Sequence, residues 1–372
     1  MDMTNVVEIL AAKALDEPEG IPYTFLNYKD GTRCDINISY REAYDNARRI
    51  AADLQEKGIK KGDRVIVFAT QTSDNVYSLY GALMAGAVFV LVPPPIDEPK
   101  VQRFSNILAS SGAKFILCNT PLFRAAKTNP VLRFIHDAVT VINVEEIDTE
   151  PAAWVKGGMN PDDLAYLQYS SGSTSVPKGI MISQRNVMHN MASLAGFFKD
   201  EPFETAVSWV PFFHNIGLVA FLFFNVFYHF RSVIMSPQAF MEKPVRWLEA
   251  ISEFKAYTTA GPNSAYALCA KIAKEEDLKR IDLSSLKCAL NGSEPIDSQS
   301  LKMFSLKFGP SGFDSLAFCP AYGLAESTMF VAGNNRKIPV REVGYAQFQK
   351  NLLAEDIADD GRKKEIISVG KV

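Results

Sequence analysis

Apolar and polar positions along the chain follow two periods, and the switch between them marks the elements. From Tyr40 to Lys57, residues Ala43, Ala47, Ile50, Ala51 and Leu54 fall on one side of a helix, and Gly58 follows where glycine ends helices. Lys60-Lys61-Gly62-Asp63 then turns into a strand, Arg64 to Phe68. The pattern next predicts a helix from about Ser73 to Ala85 and a strand from Val88 to Val92, stopped by Pro93, Pro94 and Pro95. After another helix, the run Lys114 to Cys118 reads as a strand. Strands that are continuous apolar runs alternating with helices indicate parallel sheets covered on both faces.

Glu145 to Asp163 is polar, contains Pro151, Gly157, Gly158 and Pro161, and reads as a connector. A second alternating region follows, with strands expected at Leu164–Gln168, Ile180–Ile182, Ser232–Met235, Ala256–Ala260, Cys288–Asn291 and Leu316–Cys319. The most apolar run, Ile216 to Phe230, is shorter than the ~20 residues of a membrane span. It is expected to be a buried helix or one wall of an apolar pocket. From Asn334 to Val372 the chain is charged, and Ile366-Ile367-Ser368-Val369 looks like a strand only just begun, as if the chain were cut in mid-fold. The linear division is an α/β subdomain at 1–160, a second α/β subdomain at 161–335, and the start of a third at 336–372.

Charge and composition then remove whole classes of function. A net charge of -3 over 372 residues leaves no basic excess to offset a nucleic-acid backbone. Lys271, Lys274, Lys279 and Arg280 are interleaved with Glu275, Glu276 and Asp277, as on a solvated helix face. The five cysteines are scattered without a Cys-x-x-Cys pair, and the four histidines lack metal-ligand spacing. The N-terminus is acidic where a signal peptide would be basic, so a cytoplasmic protein without stable membrane insertion is expected.

Four segments carry chemistry. Ser170-Ser171-Gly172-Ser173-Thr174-Ser175-Val176-Pro177-Lys178-Gly179 joins two apolar strands. Small residues let backbone amides converge on an anion, hydroxyls add donors, and Lys178 adds positive charge, so the loop suits phosphates. The order is the reverse of a Walker A loop, and a plain hairpin turn is the alternative. In Pro211-Phe212-Phe213-His214-Asn215, the histidine stands where it can touch an anion and gate a pocket, unless it is a core histidine bonded to backbone. Asn291-Gly292-Ser293-Glu294 ends a strand in a glycine turn that suits a flat purine, or is a plain strand-to-helix turn. In Ala321-Tyr322-Gly323-Leu324-Ala325-Glu326-Ser327, Tyr322 suits stacking on a base, and Glu326 offers a hard oxygen to Mg²⁺ or merely favours a helix dipole.

In this order and spacing the four segments resemble the adenylate-forming superfamily of acyl-CoA synthetases, luciferases and peptide-synthetase adenylation domains. Gly261-Pro262-Asn263-Ser264-Ala265-Tyr266, Ala289 to Pro295 and Tyr322-Gly323-Leu324-Ala325-Glu326 are similar to elements of one branch, the fatty acyl-AMP ligases. The polar stretch from about Lys337 to Lys364 sits where that branch carries an insertion held to hinder CoA use. Asn215 stands where the family usually has aspartate, Ser175 where glycine is common, and Ser264 where phenylalanine is usual.

The resemblance implies an α/β fold. Its two stacked subdomains would form the N-terminal domain, followed by the beginning of a small β-barrel subdomain and no C-terminal domain. It also implies activation of a fatty acid with ATP and Mg²⁺ to acyl-AMP, and transfer to an acyl carrier protein in lipid or polyketide biosynthesis. Lys178, His214 and Glu326 would be catalytic. Ser170 through Thr174, with Lys178, would hold phosphates; Asn291 through Glu294, Ala321, Tyr322, Gly323 and Ser327 would bind the nucleotide. His214, Gly261, Pro262, Asn263 and Tyr266 would border the acyl group, and Glu326 with Thr174 would hold the metal. An acyl-CoA synthetase of the same fold and a non-catalytic adenylate-binding relative are the alternative readings.

Overall fold

The computed structural model describes residues 5–29, 32–95, 97–128, 135, 138–169, 177–199, 203–335, 340–344 and 363–370. Two compact units form, each discontinuous in sequence: the first from Met1–Ser193, Pro211–Ser236 and Ala325–Met329, the second from Leu194–Val210, Pro237–Leu324 and Phe330–Val372. The linear sequence division does not follow this threading.

In the first unit a six-stranded sheet has the order Thr140–Asn143, Phe115–Cys118, Arg64–Phe68, Val88–Val92, Leu164–Tyr169, Gly179–Ser183. Its first five strands are parallel, and the sixth is antiparallel to its neighbour. Residues Ile66, Val90 and Ile116 are 0% exposed, which is why these strands read as apolar throughout rather than alternating. The helix Tyr40–Glu56 begins where the Ser39 hydroxyl accepts from Glu42 N at 3.1 Å, and Gly58 follows at φ 84°. It packs on the helix Ser73–Met84 at Gly81, where a Cβ would lie 2.8 Å from Ile50, so only glycine permits this approach. The same unit pairs Tyr23–Lys29 in parallel with Arg231–Met235 and antiparallel with Thr32–Ile38.

The second unit carries a sheet segment in the order Phe330–Gly333, Phe318–Gly323, Cys288–Asn291, Thr258–Gly261, Thr205–Ser208, parallel except for the first pair. Its core is aromatic. Trp209 stacks on Phe240 at 3.8 Å between centroids, and Tyr266 meets Trp247, Phe304 and Phe318 at 5.0–5.4 Å. Each such fully buried ring contributes roughly 1.5–3 kcal/mol. Val340–Gly344 and Lys363–Ile367 form an antiparallel pair, so the expected strand at Ile366 begins three residues earlier and ends at Ile367.

Three sequence expectations need correction; the first, the strand placed at Ala256–Ala260, is Thr258–Gly261. The run Ile216–Phe230 is buried from Gly217 to Val226, but Ile216–Phe223 is a π-helix, and only Phe224–Tyr228 is α-helical. The Leu222 carbonyl of the π segment accepts the Tyr23 hydroxyl at 2.6 Å. The strand placed at Leu316–Cys319 begins at Phe318 instead. The Asp314 carboxylate accepts from Leu316 N at 2.9 Å and starts a 3-10 turn, Ser315–Ala317, which delays the strand. Among the described residues no helix is long and apolar enough to cross a membrane. Four of the cysteines (Cys118, Cys269, Cys288 and Cys319) are buried free thiols, while Cys34 is exposed.

Candidate functional site

In the first unit, strands Leu164–Tyr169 and Gly179–Ser183 bracket the serine-rich loop, with Tyr169 opposite Gly179. The Tyr169 ring lies where a side chain on Gly179 would stand, 2.9 Å from an added Cβ, and its hydroxyl bonds the Ser110 hydroxyl at 2.8 Å. The hairpin mouth is thereby fixed. Ser170, Ser171, Gly172, Ser173 and Thr174 lie outside the described residues, and Lys178 is exposed at the mouth.

Two glutamines that carried no sequence signal hold the histidine segment. Gln168 Nε2 donates to the Phe213 carbonyl at 2.8 Å, and Gln71 Oε1 accepts from Phe212 N at 2.9 Å. His214 Nδ1 accepts from Ile216 N at 3.3 Å, which leaves the proton of the neutral ring on Nε2. Burial lowers the His214 pKa below its ordinary value, favouring that neutral form. The ring therefore offers an N–H donor without a net charge.

Asn215 caps the π-helix: its Oδ1 accepts from Ile216 N at 3.0 Å, which fixes the amide so that Nδ2 donates to the Thr328 carbonyl at 3.4 Å. Asn190 Nδ2 donates to the Ser327 carbonyl at 3.1 Å. These two amides anchor the 3-10 turn Ala325–Ser327, on which the exposed carboxylate of Glu326 stands. Thr328 sits at φ 71°, a left-handed conformation uncommon for a β-branched residue. Asn190 was not foreseen, because its partner is a carbonyl 137 residues away.

In the second unit, the strands Thr258–Gly261 and Cys288–Asn291 end side by side, and the strand Phe318–Gly323 runs past their ends. Asn291 lies opposite Gly261 on one neighbour and Pro320 on the other. Its side chain is 0% exposed, and neither amide atom has a partner among the described residues. A Cβ on Gly292 would lie 2.6 Å from the Ala321 carbonyl oxygen, so the turn at Gly292 meets the strand Phe318–Gly323 backbone to backbone. Tyr322 follows, half exposed and without a ring partner among the described residues. Glu294 Oε1 accepts from Ser264 N at 2.6 Å. Asn263 is buried and its Oδ1 accepts from Asp297 N at 3.2 Å, while a Cβ on Gly261 would meet Trp247 at 2.9 Å. Tyr266 is 1% exposed within the aromatic core and donates to the Leu290 carbonyl at 2.9 Å. Pro262 occupies the N-cap position of the helix Asn263–Ile272 without a side-chain hydrogen bond.

The family model described as AMP-binding enzyme matches residues 24–361. The medium-chain-fatty-acid–[acyl-carrier-protein] ligase JamA of Moorena producens is 31% identical over 98% of this chain and 62% of the relative. The long-chain-fatty-acid–AMP ligase FadD32 of Mycobacterium marinum is 32% identical over 99% of this chain and 60% of the relative. The chain thus spans about three-fifths of the length of such relatives. Among solved structures, the fatty acid AMP ligase from Legionella pneumophila superposes with a TM-score of 0.92 at 29% identity, over 99% of this chain and 64% of that one. A fatty acyl-adenylate ligase from L. pneumophila, in complex with acyl adenylate and pyrophosphate, gives 0.91 at 29% identity, over 99% and 64%. The fold is therefore the α/β fold of the N-terminal part of adenylate-forming enzymes, and the chain belongs to the AMP-binding enzyme family.

Proposed function

We propose that this chain activates a fatty acid as its acyl adenylate. A carboxylate oxygen of the acid attacks the α-phosphorus of ATP. The bond from that phosphorus to the β-phosphate breaks, and pyrophosphate leaves with the electron pair. A carrier-protein thiol on a phosphopantetheine arm then displaces AMP to give a thioester. Positioning and charge neutralisation supply the catalysis.

The observation that carries the reading is the platform at Gly292 and Ala321, flush backbone to backbone and followed by the half-exposed, unstacked ring of Tyr322. A flat slot with an aromatic lid fits a purine. Ala321, Gly323 and Ser293 would frame the base, with the buried, unpartnered carboxamide of Asn291 behind them. In the first unit, the neutral His214 would donate Nε2–H to the carboxylate or α-phosphate oxygen. Lys178 and Ser170 through Thr174 would take the β- and γ-phosphates, with Ser327 as a further polar contact. Gly261, Pro262 and Asn263 would border the acyl group, backed by Tyr266.

Mg²⁺, when bound, would neutralise charge on the polyphosphate, with Glu326 and Thr174 as ligands. Glu326 fits: its carboxylate is exposed and makes no ion pair with a described residue.

Calorimetric titration with non-hydrolysable acyl-AMP analogues tests the reading. Tight binding of a long-chain analogue and weak binding of the acetyl one is expected. Preference for the acetyl analogue would refute the fatty acid assignment, and binding of neither would refute the adenylate assignment for this chain.

A further inference from the structure

Side chains, rather than sheet pairing, tie two strand-end turns of the second unit together. One turn is Gly261-Pro262-Asn263, after the strand Thr258–Gly261; the other is Gly292-Ser293-Glu294, after Cys288–Asn291. Glu294 Oε1 accepts from Ser264 N at 2.6 Å, and Asn263 Oδ1 accepts in return from Asp297 N at 3.2 Å. The bonds run in opposite directions and so form a clasp. Pro262 gives the helix Asn263–Ile272 no side-chain cap; Ala265 N bonds the Pro262 carbonyl at 3.0 Å, so the Ser264 amide depends on an outside acceptor, and a carboxylate is the favoured one. Ser293, at φ 71°, reverses the chain immediately before Glu294.

We infer that Glu294 is a positioning residue that couples the acyl-side turn to the adenine-side turn through Ser264 N. This rests on the adenylate reading above and alters one part of it. The Glu294 carboxylate is committed to backbone and does not contact the nucleotide. Filling the adenine slot then stiffens the border of the acyl group, and one ligand half is bound better when the other is present.

The test compares AMP with a long-chain acyl-sulfamoyl adenosine on the 372-residue chain. Glu294→Ala should leave AMP affinity within about twofold and lower that of the long-chain analogue about tenfold, the scale of one hydrogen bond to a charged group. Glu294→Gln should restore most of it, because a carboxamide oxygen accepts the same bond. Ser264→Pro removes the donor instead, and the chain already accepts proline second in a helix, at Pro99. It should match Glu294→Ala, and the double variant should lose no more than either single one. Unchanged binding of the long analogue by Glu294→Ala, an equal loss for AMP, or additive losses in the double variant would each overturn the inference. Hydrogen exchange at the Ser264 amide separates the two readings. A fast-exchanging amide in the unsubstituted chain removes the clasp. A protected amide in a chain that binds neither AMP nor the long-chain analogue keeps the clasp but removes the adenylate reading, and the positioning role with it.

Discussion

The Glu326 turn of the first unit and the Gly292–Glu294 turn of the second each contain a non-glycine residue at φ 71°, Thr328 and Ser293. They are held in opposite ways. Around Thr328, which is 4% exposed, neutral asparagine amides donate to two successive carbonyls. Beside the exposed Ser293, a carboxylate accepts from a helix amide. The first arrangement fixes a turn without adding charge next to Glu326, whose own charge stays available. The second presents bare backbone, so a charged tether nearby costs little. Each tether suits what its turn must display.

Filling the flush contact should have the largest effect. Gly292→Ala places a methyl 2.6 Å from a backbone oxygen that cannot rotate away. Urea unfolding should show a loss of about 1–3 kcal/mol, and binding of the long-chain analogue should be lost. Wild-type affinity in this variant would show that the Gly292 turn need not touch the strand at Ala321.

A smaller effect should follow from changing the sign of the neutral tether. Asn215→Asp installs the residue more usual in the family, yet it should destabilise by about 1–2 kcal/mol in urea, because a carboxylate cannot donate to the Thr328 carbonyl. A more stable Asn215→Asp protein would mean that the amide bond carries nothing.

The smallest effect should appear only with pH. The folded-state pKa of His214 is lowered, so the unfolded chain takes up the proton first. This contribution to stability is present above the unfolded value of about 6.5 and is lost as pH falls below it, levelling off below the folded pKa. His214→Gln should flatten that part of the stability profile, as followed by thermal melts from pH 8 to 5. An unchanged slope would assign the dependence to other groups.

Much of the frame was legible because parallel strands buried on both faces leave unbroken apolar runs. Arg64–Phe68, Val88–Val92 and Cys288–Asn291 stand at the bounds expected of them. The pitch of Ile216–Phe223 was not legible, since a segment buried from Gly217 to Phe223 has no polar position to mark its period. Nor was the pairing of Tyr23–Lys29 with Arg231–Met235, whose partners are some two hundred residues apart. At the candidate site, motif residues announced themselves by type. Their supports, Gln71, Gln168 and Asn190, bond to main-chain carbonyls or amides, and such partners leave no trace in the identity of the partner residue.

The distribution of thiols makes the chain its own unfolding gauge. Burial pushes Cys118 and Cys269 up to about 12, and only Cys34 meets solvent. A colorimetric disulfide reagent should therefore titrate one sulfur quickly in the native protein and all five in denaturant. A single maleimide dye would mark the Thr32–Ile38 strand without any engineered attachment point, and the slow release of the other four sulfurs would time the opening of the interior.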